Sequence, residues 1–253
     1  MNLEMDSEPA VSIGSDGVLR LSAQGHAQEP TVVFEDPQLL ILYKPAGMLS
    51  QGDYSGDEDL LTWGKRYIKE AYQKPGNVFL GLVHRLDRPV EGIMVFARTS
   101  KAARRLNEQF RGRMVQKRYH ALVSGIPRPS EGVAEDCLRR DHRRTRVEPL
   151  DSTHPKAQYA KLRWRVLETY KKGALLDIQL ETGRTHQIRV QLSTRGWPIV
   201  GDRKYGSRIL PFGPNLALQA AHLSVTHPTK GYSIEVSASV PEAWTDAGFR
   251  FFR

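Results

Sequence analysis

Cysteine is almost missing from this 253-residue sequence: Cys137 stands alone. No intramolecular disulfide can form, and a cysteine-rich zinc module is excluded. That usage fits a reducing, cytoplasmic setting. Long hydrophobic runs are missing too. None approaches the roughly 18 residues of a membrane span, and the longest, Leu39 to Tyr43 and Val78 to Val83, read as buried strands. A secretory leader needs a basic start and an apolar centre, whereas Glu4, Asp6, Glu8 and Asp16 precede the first basic residue, Arg20. There is no GxxxxGKS/T or GxGxxG phosphate loop, no GxSxG elbow and no HExxH pair. His222 and His227 lie five apart without cysteine or further ligand partners, and Gly201 to Gly206 reads as a turn because it lacks phosphate-loop spacing. Neither a cofactor nor a metal is therefore expected.

Positive charge is what the chain has in excess. Lysine and arginine number 37 against 28 acidic residues, a net charge of +9. Such a surplus favours a polyanionic partner, because each phosphate neutralised releases a condensed counterion. The charge is also clustered. Arg98 to Arg118 carries eight basic residues and one acid, Glu108, while Arg139 to Arg146 carries five arginines in eight positions. Each cluster alone reads equally well as a solvated face; two of them in a basic chain point towards RNA or DNA.

The length allows one large domain or two small ones at a typical ~150 residues per domain. Residues 1–30, rich in Ser, Gly, Glu and Ala, read as a loose arm with at most one weak strand near Gly17 to Ser22. From Val32 onward short apolar segments alternate with a few helical ones, which predicts a mixed α/β (α+β) domain on a largely antiparallel sheet. In Leu175 to Glu181, Leu176, Ile178 and Leu180 face the core, and Asp177, Gln179 and Glu181 face water. Ser100 to Gly112 reads as a helix with Ser100 as N-cap, an Ala103, Leu106 and Phe110 stripe, a basic outer face and Gly112 as its stop. A second short helix is expected from a Thr185 cap to Gly196. The turn before it, Glu181 to Arg184, would offer backbone amides and a helix end to an anion.

The most informative stretch is Gly81-Leu82-Val83-His84-Arg85-Leu86-Asp87-Arg88, followed by Pro89-Val90-Glu91-Gly92 and the apolar strand Ile93 to Ala97. Asp87 falls at a strand end or loop, where functional side chains commonly project. The arginines on either side favour the charged form that a nucleophilic carboxylate requires. Taken by itself, the stretch reads rather more readily as an ordinary Arg and Asp turn.

Three ordered segments go further: His84-Arg85-Leu86-Asp87-Arg88 with Gly92, then Lys117-Arg118-Tyr119-His120-Ala121-Leu122-Val123-Ser124-Gly125, then Thr182-Gly183-Arg184-Thr185-His186-Gln187-Ile188-Arg189-Val190. In order and spacing they resemble the RluA-type family of RNA pseudouridine synthases. Glu35-Asp36, Lys44-Pro45-Ala46-Gly47, Gly201-Asp202 with Tyr205-Gly206, and His227-Pro228 extend the resemblance over roughly residues 31–230. It implies a pseudouridine synthase fold over 31–253 and an isomerase that detaches a uracil, rotates it and rejoins it through C5 without a cofactor. Structured RNA, ribosomal or transfer, would be the partner, with no membrane, no small-molecule cofactor and a monomer sufficient.

The resemblance also assigns roles. Asp87 is the essential carboxylate, attacking ribose C1′ or base C6, or assisting proton removal towards a glycal-like intermediate. Arg85 is the wedge or phosphate contact, Tyr119 a ring for the uracil with a hydroxyl near its C5 proton, and Arg184 the ion-pair partner that orients Asp87. His84 lies among the substrate-side residues and is expected to support the loop. Glu91 is expected at the surface. The sequence departs from the family at Pro89-Val90-Glu91, where many relatives carry a Thr-Ser-Gly-like turn, and at Leu218-Gln219-Ala220, where a Leu-His-Ala segment is common. Many members carry an amino-terminal S4 domain, for which the first 30 residues are too short, so RNA affinity is expected from the catalytic domain itself.

Overall fold

A computed structural model of the chain describes residues 13–25, 28–141, 146–209, 215–244 and 246. Its strands are β1 (Val18–Ala23), β2 (Thr31–Glu35), β3 (Leu39–Lys44), β4 (Gly81–Leu82), β5 (Glu91–Ala97), β6 (Gln116–Ser124), β7 (Glu131–Asp141), β8 (Arg146–Leu150), β9 (Gln158–Thr169), β10 (Gly173–Leu180), β11 (Leu218–Thr226) and β12 (Ser233–Ala238). They join in one twelve-stranded sheet of order β2-β3-β5-β11-β6-β10-β9-β7-β8, with β12 also on β11, β1 on β12 and β4 on β5. Among these described strands, only β1–β12 and β5–β11 pair in parallel. The fold is thus α+β on a largely antiparallel sheet, flanked by α1 (Leu60–Ala71), α2 (Ser100–Arg111) and α3 (Gln187–Thr194).

Strands β3 and β5 explain their unbroken apolar sequences: both are buried on both faces. Leu40, Leu42, Met94 and Phe96 enter the core beneath α1, and Leu39, Ile41, Tyr43, Ile93 and Val95 enter the one beneath α2. Gly64 lets α1 close on the sheet, since a Cβ there would meet a Leu80 methyl at 2.8 Å. The cap of α2 is Thr99, one residue before the expected Ser100. Thr99 is extended and its hydroxyl takes the Ala102 N–H, while Gly112 ends the helix as expected.

Other expectations need correction. Of Val78 to Val83 only Gly81 and Leu82 pair as a strand, because the rest runs into a loop. On β10, Leu176 and Ile178 are fully buried as anticipated, but Asp177 is buried as well, closed over by its ion pairs with Arg118 and Arg165. Helix α3 begins after His186, which sits in the left-handed region (φ 52°) and not after a Thr185 cap. Within the first 30 residues, β1 pairs along its full length with β12; residues 1–12, 26 and 27 lie outside the described set, as do Arg143 and Arg144 of the second arginine cluster.

Candidate active site

The loop 83–90 between β4 and β5 carries Asp87 into a cleft of about 1020 Å³. Segment 49–53, the junction of α2 with β6, and the end of β10 with its following turn form the other walls. The loop is clamped from beneath. Ser50 Oγ donates to Leu86 O (2.8 Å) and accepts from Leu86 N–H (3.0 Å). Gly47 N–H donates to Arg88 O, and Arg88 Nε returns a bond to Gly47 O, each at 2.9 Å. Lys44, fully buried, directs its ammonium at three carbonyls, those of Pro45, Met48 and Arg88. Burial pulls its pKa down to about 7 against the opposing charges of Glu91 and Asp87. Both residues flanking Asp87 are thereby held through their main chain.

The carboxylate itself is gripped from α3. Arg189, 7% exposed, places Nη1 3.0 Å from Asp87 Oδ2 and binds Asp202 in a two-point fork through Nε (2.7 Å) and Nη2 (2.9 Å). Asp202 is 1% exposed, so the fork is fixed in a dry environment. His186 Nε2 lies 3.5 Å from the same Asp87 oxygen. Its tautomer is assigned from Asp87: a carboxylate only accepts, so the imidazole N–H is placed on Nε2, and Nδ1 takes the phenol proton of Tyr205 (2.8 Å), whose oxygen also accepts the Val147 N–H (2.9 Å). Burial lowers the His186 pKa to about 4. The ring is neutral at pH 7, with its one N–H on the nitrogen facing Asp87.

All five residues assigned from the sequence line this cleft: His84, Arg85, Asp87, Tyr119 and Arg184. Arg85 is exposed and makes no hydrogen bond or ion pair among the described residues. Tyr119 is 9% exposed, and burial together with the Asp87 charge pushes its hydroxyl pKa up, so the phenol keeps its proton. His84 accepts the Val95 N–H on Nε2 (3.0 Å) and stacks on Phe110; burial holds it neutral, with a pKa near 3. It ties the loop to β5, in keeping with a supporting role.

Arg184 is not the partner of Asp87. It lies in the turn before α3, where its Nε donates to Tyr159 O (3.0 Å), and the partner is Arg189. Arg189 lies within the first turn of α3, where its guanidinium reaches Asp87, whereas Arg184 precedes the helix. Nor do both arginines beside Asp87 serve it, because Arg88 turns to Asp57 and Gly47. Glu91 is not at the surface; it is 2% exposed and accepts from Tyr43 Oη (3.0 Å). In the turn before α3 the amides of Glu181 and Thr182 bond Lys161 O, and that of Arg184 bonds Gln187 Oε1. Those three amides are therefore committed within the fold.

Cations dominate the lining. Arg85, Arg111, Arg113, Lys117, Arg140 and Arg184 face three carboxylates, Asp53, Asp87 and Glu181. Among the described residues no three His, Cys, Asp or Glu side chains are gathered where a metal could be held. The cleft is at the upper end of the volumes typical of small-ligand sites, large enough to take a nucleotide with part of its backbone.

A family model described as RNA pseudouridylate synthase matches residues 38–194, from β3 through α3. The chain belongs to the RNA pseudouridylate synthase family. Its curated relatives place it in the RluA-type branch. It is 33% identical over 225 residues to a ribosomal large subunit pseudouridine synthase D of Yersinia pestis, covering 83% of this chain and 67% of the relative. It is 36% identical over 217 residues to a ribosomal large subunit pseudouridine synthase C of Vibrio vulnificus, covering 83% and 66%. The match covers about half to four fifths of the length of its curated relatives. Among solved structures, human RNA pseudouridylate synthase domain containing 4 superposes with a TM-score of 0.71 at 25% identity, over 87% of this chain and 92% of that one. The family match includes Asp87, Tyr119, Arg184 and Arg189; Asp202 and Tyr205, which hold Arg189 and His186, lie beyond it.

Proposed function

We propose that this protein is an RNA pseudouridine synthase that isomerises a uridine in structured ribosomal or transfer RNA, with Asp87 as the essential carboxylate. One observation carries the reading: a carboxylate gripped by a buried arginine and a neutral histidine opens onto a large cleft whose other charges are mostly positive. The names of the curated relatives favour large-subunit ribosomal RNA. The protein would act as a monomer on this polyanion, in the cytoplasm, with no membrane and no small-molecule cofactor.

A stacked uridine hides its glycosidic bond, so the nucleotide must be extruded at a cost of a few kcal/mol. Arg85, exposed beside Asp87, suits the vacated space or the adjacent phosphate. Tyr119 offers the freed uracil a ring face, and such stacking is worth about 1–3 kcal/mol. Asp87 then acts at C1′ or C6, or assists proton removal towards a glycal-like intermediate. Arg189 and His186 hold it in one orientation throughout, so little reorganisation accompanies the step. Base and sugar rejoin through C5, and atoms balance without an outside reagent because the C5 hydrogen leaves as a proton and one is gained at N1.

The test is release of tritium from [5-³H]uridine-labelled RNA. Release by the wild type and none by Asp87→Asn is the expected result. RNA binding without release would make the protein a silent RNA-binding or chaperone module, and free uracil in the products would make it a glycosidase; either outcome overturns the proposal.

A further inference from the structure

The basic cluster at Arg98 to Arg118 is divided by the fold into two groups. Arg98 is bound to Asp36 O and Glu35, Arg105 to Pro228 O, and Arg118 to Asp177, so these three are engaged within the fold. Lys117 is partly buried in the cleft wall. That leaves Lys101, Arg104, Arg111 and Arg113, all exposed. Lys101, Arg104 and Arg111 stand at i, i+3 and i+10 of α2, within about 80° of one another on its axis and spread over about 15 Å. This stripe lies opposite the side that buries Ala102, Leu106 and Gln109. At its far end Arg111 and Arg113 enter the lining of the cleft.

We propose that this stripe of α2 is a track for the RNA backbone flanking the target uridine, extending the footprint beyond the cleft. The inference rests on the reading that the substrate is RNA. Continuity decides the partner: the stripe ends at Arg111 and Arg113 in the lining of the cleft that is to receive the nucleotide, so one strand can occupy both. A row of cations spaced along a helix suits successive phosphates, which carry most of the affinity in RNA and DNA complexes. Glu108 is the one acid on the row, and its exposed pair with Arg104 at 3.8 Å is a solvent-screened contact that a phosphate readily displaces. Lys101 and Arg104 do not line the cleft, so their effect on binding is separable from chemistry.

The test uses the double variant Lys101→Gln with Arg104→Gln and two probes, an unmodified large-subunit ribosomal RNA transcript and a short uridine-containing oligonucleotide. Kd is measured between about 50 and 200 mM KCl. The expected result is roughly tenfold weaker binding of the transcript and a log Kd against log salt slope reduced by about 1.4–1.8. Oligonucleotide binding and the rate at saturating transcript should stay unchanged. The charge-preserving pair Lys101→Arg with Arg104→Lys should restore wild-type values, and Lys171→Gln with Lys172→Gln, exposed cations on the β9–β10 turn, should not reproduce the loss.

Unchanged Kd and slope, or an equal loss in the Lys171 and Lys172 control, overturns the track. So does poly-glutamate competing as well as RNA per unit charge, which would mark the face as a docking site for acidic protein. The two readings fail separately. Pseudouridine formation with unaltered transcript binding refutes the track alone. Altered binding without any pseudouridine from the wild type supports the track and refutes the proposed function.

Discussion

At the residue scale, the distinction between Arg189 and Arg184 makes the sharpest prediction. Arg189→Gln removes the grip on Asp87 and leaves Asp202 buried without its counter-charge, which costs about 3–5 kcal/mol of stability. Turnover should fall a hundredfold or more, because small displacements of a reacting group cost about that much. Arg184→Gln should instead raise KM for RNA with kcat nearly unchanged, as loss of a cleft cation implies. Steady-state kinetics on both variants, with a denaturant melt of the first, separates them. Tyr205→Phe deletes the hydroxyl that bonds His186 Nδ1 and orients the ring beside Asp87; we expect kcat to fall about tenfold with KM unaltered. Asp87 was legible because its motif is compact, and Arg85, His84, Tyr119 and Arg184 were legible as cleft residues. The Ser50 clamp and the burial of Glu91 were not, since each depends on a segment distant in sequence.

Elements were legible where one face differs from the other. Helix α2 shows a clean period because one side packs on the sheet and the other meets water. Helix α3 was misread at its start because Gln187 to Leu192 are all buried, which erases the period, and because its first turn is set by a left-handed His186. Thr99→Ala should cost about 1 kcal/mol in chemical denaturation, whereas Ser100→Ala should cost little; the reverse order would return the cap to Ser100. Gly92 joins β5 to β11 at a φ of 127°, where a Cβ would lie 2.4 Å from Ala220 O. Gly92→Ala should therefore destabilise the fold by about 2–5 kcal/mol, read as a shifted denaturation midpoint.

For the whole molecule, composition foretold a basic, mixed fold, but the strand order was hidden. Patterning reports which side of a strand is buried and carries no information on which neighbour it pairs with across two hundred residues. The balance of charge has a thermodynamic consequence. His84 and His186 are held neutral by burial, with pKa values near 3 and 4 in the fold against about 6.5 when unfolded. Below pH 6.5 the unfolded chain binds protons that the folded one refuses, so stability declines as pH falls from about 6.5 towards 4. Melting temperatures across that interval should show the decline, and His84→Gln, whose amide oxygen can still accept the Val95 N–H, should flatten it. The parallel pairing of β1 with β12, Val18 opposite Ser233 through Ala23 opposite Ala238, carries a last consequence. During synthesis β1 leaves the ribosome long before β12, the strand it pairs with among the described residues, so its place is filled when the β11–β12 hairpin arrives. Registration of the amino-terminal segment thereby becomes a sign that translation of the sheet has been completed.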